Sequence, residues 1–192
     1  MDRNEVIAFF DRCAPSWDAE TIRNEEAIRA ILDNAGVRAG IDVLDVACGT
    51  GVLFPDYFAR GVASLTGVDI SPEMARRARD KFPRAAVVCG DVETYPFGRR
   101  FDAVMLYNAF PHFPDPERLL RTLAGLNRRG GRLSVAHGMS RAQLEAHHAG
   151  AASGVSIGLP DEHALAALFA PWFDVDVAIS DDTMYQVAGT KR

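Results

Sequence analysis

The stretch VLDVACGTG, residues 43–51, constrains the fold more than any other part of the chain. A short apolar, β-branched run reads as a buried strand, and it ends on an acid before a Gly-Thr-Gly turn. Such a run needs cover on both faces, and glycines after it let a backbone approach a ligand closely. The turn therefore predicts the first strand of an open α/β sheet, with a ligand held beyond its carboxyl end.

The rest of the chain repeats the same unit. Strand patterns recur at SLTGVDI (64–70), AAVVCGD (85–91), FDAVMLY (101–107) and GRLSVAH (131–137). Helical patterns lie between them. Ser71 caps a helix that starts at Pro72 and buries Met74, Ala75, Ala78 and Phe82. Asp115 caps another that starts at Pro116, with Leu119, Leu120, Leu123 and Leu126 as its stripe. Upstream, Ile28, Ile31, Leu32 and Ala35 form one face that ends at Gly36. Strand–helix alternation implies parallel strands with helices on both faces. FDVDVAI (173–179) and MYQVAGT (184–190) are joined by only SDDT, which predicts an antiparallel hairpin. The expected fold is a Rossmann-like, three-layer α/β sandwich. Its seven-stranded, mostly parallel sheet ends in a C-terminal antiparallel hairpin, and 1–192 read as one domain.

The ligand class follows from what the turn contains and lacks. Gly49 and Gly51 allow close approach, and Asp69, 20 residues after Gly49, ends the second strand where a carboxylate can accept both hydroxyls of a ribose. A dinucleotide fingerprint wants a third glycine where Phe54 stands, and the Gly-Lys-Ser/Thr of a P-loop is absent. Asp45 beside the turn would repel a pyrophosphate and suits a cationic ligand.

Four ordered motifs, VLDVACGTG, TGVDISPEM, GDVETYPF and FDAVMLYNAFPHFPDP, resemble those of class I S-adenosylmethionine-dependent methyltransferases. The chain is most similar to the methyltransferase-11 type, close to the ubiquinone/menaquinone methyltransferases. IAFFDRCAPSWDAE resembles the opening segment of that group. The resemblance implies S-adenosylmethionine as cofactor and S-adenosylhomocysteine as product. It places Asp45, Ala47, Cys48, Gly49, Thr50 and Gly51 around the methionine moiety and Asp69 on the ribose. It places Ile70, Met74, Gly90, Asp91 and Val92 around the adenine, Tyr107 and Asn108 on the methyl side, and Trp17 on a closing N-terminal segment. Cys48 also reads as a small filler, Met74 as core, Trp17 as an anchor of the first helix, and Asp45 as a group satisfied by backbone amides.

Methyl transfer from a sulfonium depends largely on positioning, and a base is needed only for a protonated acceptor. His112 and His137 follow the fourth and fifth strands and are the candidate catalytic residues, since imidazole titrates near pH ~6.5. Phe110, Arg141 and His147 are the candidate acceptor contacts. A metal held by His137 with His147 or His148, and with His112 as a further ligand, is a competing reading, though the His137-to-His147 spacing is no local chelate; the expectation is no metal. Residues 1–35 are expected to form a helical cap and 138–170 a substrate lid. Non-catalytic binding of the cofactor, as a sensor or partner subunit, and binding of a nucleotide such as NAD are the alternative functions.

Composition narrows the partner. The net charge is −5 and the basic residues are scattered in sequence, which disfavours nucleic acid and favours a small-molecule acceptor. Three cysteines with no CxxC pair, and no apolar run of membrane-spanning length, suggest a cytoplasmic protein, monomeric or homodimeric.

Overall fold

The structure, a computed structural model, describes residues 2–148 and 153–192. Three helices come first: α1 (Arg3–Cys13), α2 (Trp17–Glu20) and α3 (Glu25–Asn34). Then follow β1 (Asp42–Val46), α4 (Phe54–Ala59), β2 (Ser64–Asp69), α5 (Pro72–Lys81), β3 (Ala86–Cys89) and β4 (Phe101–Tyr107). The second half holds α6 (Pro116–Leu126), β5 (Asn127–His137), α7 (Arg141–His148), α8 (Glu162–Phe169), β6 (Phe173–Ser180) and β7 (Tyr185–Lys191). The seven strands form one sheet in the order β3-β2-β1-β4-β5-β7-β6. The first five are parallel, and β7 runs antiparallel to both β5 and β6. This is the expected sandwich with its terminal hairpin.

Period-2 alternation along the central strands fills two cores. Leu44, Val46, Val104, Leu106, Leu133 and Val135 face one side, beneath α6 and α8. Val43, Ala103, Met105 and Ala136 face the other, against α3, α4 and α5. The helix caps form as the sequence predicts: Ser71 Oγ accepts from Met74 N at 3.1 Å and Asp115 Oδ1 from Arg118 N at 3.0 Å. On α3, Ile28, Ile31 and Leu32 are wholly buried, each contributing about 1.5–3 kcal/mol of apolar burial. The helix stops where Gly36 takes φ +69°.

Two features lie beyond the sequence reading. The last strand, β7, is interior, and β6 takes the edge, because β7 pairs with β5 along Arg132–His137. The N-terminal 35 residues also divide. Residues of α1 and α2 cover the carboxyl ends of the strands, whereas α3 packs into the main core.

Candidate functional site

The strand order reverses between β1 and β4, so the connections leaving them diverge and open a crevice at their carboxyl ends. The residue following each strand is non-glycine yet left-handed: Ala47 at φ 52° and Asn108 at φ 54°. Asparagine tolerates this conformation, and alanine does so at a cost of about 1 kcal/mol. Hydrogen bonds hold both turns. Cys48 N donates to Val68 O at 3.1 Å, Asn108 N to Ala136 O at 2.8 Å, and Gly138 N to the Asn108 side-chain oxygen at 3.0 Å.

Asp69 stands at the centre of the crevice floor. Its carboxylate accepts from Gly49 N at 2.8 Å on one oxygen and from Ser71 N at 2.9 Å on the other. Burial pushes its pKa up to about 6, against the two backbone hydrogen bonds that pull it down. The glycine turn and the next helix start are thus tied to one carboxylate that faces the cleft.

The cleft has a volume of about 880 Å³, near the upper end of the roughly 300–1,000 Å³ usual for small-molecule sites. Of the expected cofactor residues, Trp17, Ala47, Cys48 and Gly49 line it at the turn, and Asp69, Ile70 and Met74 line it at the second strand end. Gly90, Asp91 and Val92 follow at the third, and Tyr107 and Asn108 at the fourth. Burial pushes the Tyr107 phenol up to about 12, so it stays a neutral hydroxyl. His112 lines the wall. Its Nδ1 lies 2.7 Å from the Val155 carbonyl and its ring packs edge-on against Phe10 at 4.9 Å. Because a carbonyl only accepts, Nδ1 carries the proton of that bond, and in the neutral ring Nε2 is the basic nitrogen.

Other expected residues stand behind the wall or away from it. Asp45 points from β1 into the core below the turn and is 2% exposed, beside the Tyr57 hydroxyl. Burial raises its pKa to about 8, with Asp69 adding to the rise, so it is neutral at pH 7. Thr50 is wholly buried outside the cleft lining, and its hydroxyl donates to Asp18 at 2.5 Å. Gly51 packs under Phe54 and Phe82. Phe110 is wholly buried in the core beneath α6. Among the histidines the expected pairing of His112 with His137 corrects itself by strand parity. His137 alternates with Leu133 and Val135, so its ring enters the core and packs on Tyr185 at 6.0 Å, wholly buried and outside the cleft lining. Arg141 is half-buried and also outside the lining, while its neighbours Met139 and Leu144 reach it. His147 and His148 lie outside the residues whose side chains are described. No group of three metal-ligating side chains occurs among the described residues.

The structure adds a roof that the sequence reading named only through Trp17. Val6, Phe9, Phe10 and Cys13 of α1 line the cleft from above. Three carboxylates fasten this roof. Asp11 accepts from Ser71 Oγ at 2.5 Å and Glu73 N at 3.1 Å, and Asp18 pairs with Lys81 at 2.7 Å. Asp91 pairs with Arg3 at 2.5 Å. The amphipathic pairing of Phe9 and Phe10 with charged neighbours was the available signal. Its target was invisible because the partners lie 60 or more residues away. Arg23, also in the lining, is fixed by Glu25, by Asp56 at 2.9 Å and by the Val52 carbonyl. In total the lining carries five carboxylates, of Glu20, Asp69, Asp91, Glu93 and Asp115, against three guanidiniums, of Arg3, Arg23 and Arg118. Such a lining favours a ligand with positive charge over a pyrophosphate.

A crevice at the switch point, floored by one strand-end carboxylate and roofed by an N-terminal helix, defines the class: this is the class I methyltransferase fold. Residues 44–135, just under half of the chain, match the model of the methyltransferase domain family of the Methyltransf_11 type. The demethylmenaquinone methyltransferase of Renibacterium salmoninarum is 30% identical over 139 residues, 69% of this chain and 58% of that protein. The ribosomal protein L11 methyltransferase of Laribacter hongkongensis is 27% identical over 161 residues, 83% of this chain and 47% of that protein. The chain thus spans about half the length of the curated relatives it matches. Among solved structures, the magnesium protoporphyrin IX methyltransferase of Synechocystis PCC 6803, with bound S-adenosylhomocysteine, superposes with a TM-score of 0.76. It is 17% identical and is covered over 100% of both chains.

Proposed function

We propose that the chain is an S-adenosylmethionine-dependent methyltransferase that acts on a small-molecule acceptor. The observation that carries this reading is Asp69, pinned between Gly49 N and Ser71 N and facing a net-acidic cleft. The residues fit the cofactor. Asp69 would take the ribose hydroxyls, Ile70, Met74 and Val92 would pack on the adenine, and Asp91 would meet its amine. Ala47, Cys48 and Gly49 would face the methionine moiety. Bound there, S-adenosylmethionine supplies a methyl group on a cationic sulfur, and the electron pair of the broken bond stays on that sulfur.

The protein's own part is to exclude water, orient the acceptor and manage one proton. Phe9, Phe10 and Trp17 close the roof with apolar rings, and Phe10 packs edge-on against both Trp17 and His112. The Val155 carbonyl fixes the imidazole of His112 through Nδ1. His112 Nε2 then accepts the acceptor's proton as the new bond to carbon forms. A volume of about 880 Å³ holds a nucleoside cofactor together with a second small molecule. Three free cysteines, and no described helix long and apolar enough to cross a membrane, support a cytoplasmic setting.

The test is calorimetric titration with S-adenosylmethionine, S-adenosylhomocysteine and NAD, followed by release of S-adenosylhomocysteine across a panel of small phenols, quinols, amines and carboxylic acids. The expected result is micromolar binding of the first two, none of NAD, and a His112→Ala variant that keeps the affinity and loses turnover. NAD binding in place of the sulfonium would overturn the proposal. Cofactor binding without turnover on any acceptor would leave a binding protein in place of an enzyme.

A further inference from the structure

The arginines that lie apart in the sequence meet at the end of the sheet opposite the cleft. Arg38 follows α3, Arg99 and Arg100 precede β4, and Arg128, Arg129 and Arg132 open β5. Three of these are neutralised. Arg99 and Arg128 pair with Asp42 at 2.6 and 2.9 Å, Arg128 also with Asp102 at 2.6 Å, and Arg132 with Asp176 at 2.7 Å. Arg38, Arg100 and Arg129 are exposed and form no ion pair among the described residues. The local field is positive enough to reach Lys191, whose ammonium is pushed down by burial and by Arg100.

This surface is also concave. Arg38, Arg128, Arg129 and Arg132 surround a hollow of about 210 Å³ whose wall includes Gly130 and Gly131. The one carboxylate in its lining is that of Asp102, which already accepts from Arg128 and, at 2.8 Å, from Asp42 N. A Cβ on Gly131 would stand 2.8 Å from the Asp102 carbonyl oxygen, and Gly130, where a Cβ would meet nothing within 4 Å, takes φ +73°. The glycine turn carries Arg129, and the segment between α3 and β1 carries Arg38, so two guanidiniums without an ion pair among the described residues stand at the rim of a small cavity.

We propose that this hollow is a second binding site, for the phosphate groups of a small mono- or diphosphate ester. Planar guanidinium forks match the oxygens of a tetrahedral dianion, and two of them at one rim carry the charge it needs. A long polyanion is disfavoured, because the positive surface is confined to one mouth on a chain of net charge −5. The site is independent of the cleft: it lies at the amino ends of β1, β4 and β5, and the cleft lies at the carboxyl ends of the sheet.

The test is calorimetry of the full chain with inorganic phosphate and with diphosphate at low ionic strength, using the double variant Arg38→Glu/Arg129→Glu. Both side chains are exposed and unpaired in ion pairs, so the variant should fold, and retained binding of S-adenosylhomocysteine or an unchanged melting curve verifies that. Arg29→Glu/Arg121→Glu, on the exposed faces of α3 and α6, changes the net charge by the same amount and is the control. Diphosphate should bind saturably, about tenfold or more weaker in the double variant and unchanged in the control. Binding that is absent, or equal in all three proteins, would overturn the proposal. So would a single-stranded oligonucleotide that binds through Arg38 and Arg129 when diphosphate does not, since the surface would then be a nucleic-acid contact.

Discussion

Asp69→Asn separates the folding role of the crevice carboxylate from its binding role. In the fold the ionised group is held by Gly49 N and Ser71 N, yet burial still lifts its pKa to about 6. Relative to a free aspartate near ~3.8, that shift is ~2 units, or ~3 kcal/mol of penalty on the charged form at neutral pH. The sign follows from linkage. A raised folded pKa gives stability that is complete below pH ~3.8 and is lost as pH rises through about 6. Asparagine does not titrate, keeps one amide hydrogen bond and forfeits the other, a loss of roughly 1–2 kcal/mol. The variant should therefore match the wild type in stability at pH 5 and exceed it by about 1–2 kcal/mol at pH 8. Binding should move the other way. A neutral amide replaces a carboxylate that accepts ribose hydroxyls, and hydrogen bonds to a charge exceed neutral ones by about 1 kcal/mol each. S-adenosylhomocysteine affinity should fall roughly 30-fold. Thermal unfolding at the two pH values and calorimetry with S-adenosylhomocysteine read both quantities. A variant less stable than wild type at pH 8, or one that binds within threefold of it, refutes the reasoning.

Four further outcomes follow from single residues. Asp45→Asn should show its smallest gain in melting temperature near pH 4 and a gain that grows up to about pH 8, because the unfolded carboxyl ionises near ~3.8 while the folded one stays neutral until about pH 8, so the wild type loses stability throughout that window; a difference between the two proteins that is the same at pH 4 and pH 8 would count against a buried Asp45. Gly51→Ala should lose roughly 2–4 kcal/mol in urea unfolding, since φ is +85° and a Cβ would stand 2.9 Å from the Phe54 ring. Ala47→Gly should gain up to about 1 kcal/mol by relieving a left-handed alanine, with no gain if that turn is relaxed in solution. His137→Ala should cost roughly 2–4 kcal/mol by opening a cavity against Tyr185 while cofactor affinity holds; a stable variant with lost turnover would return His137 to the reaction.

The local elements were legible because their signals are local. Ser71 and Asp115 cap helices by bonding amides three residues on, Gly36 ends α3, and the SDDT spacing leaves room only for a hairpin. The strand-end positions of Gly49, Asp69, Asp91 and Asn108 were legible for the same reason. Each sits at a fixed offset from an apolar run, and a parallel sheet aligns the carboxyl ends of its strands.

Period, caps and turn chemistry within a few residues dictate the alternating α/β architecture, the terminal hairpin and the crevice. Tertiary structure alone decided which way each strand-end side chain turned. His137 and Asp45 both end strand patterns, but neither faces the cleft: parity sends His137 under α8 beside Tyr185, and Asp45 below the turn beside Tyr57. Tertiary structure alone also seated β7 between β5 and β6, laid α1 and α2 over the cleft through Asp11 and Asp18, and gathered Arg38, Arg128, Arg129 and Arg132 around one hollow. Each of these depends on contacts between distant segments, and their free energy is set by packing and solvent exclusion that no local window of residues contains.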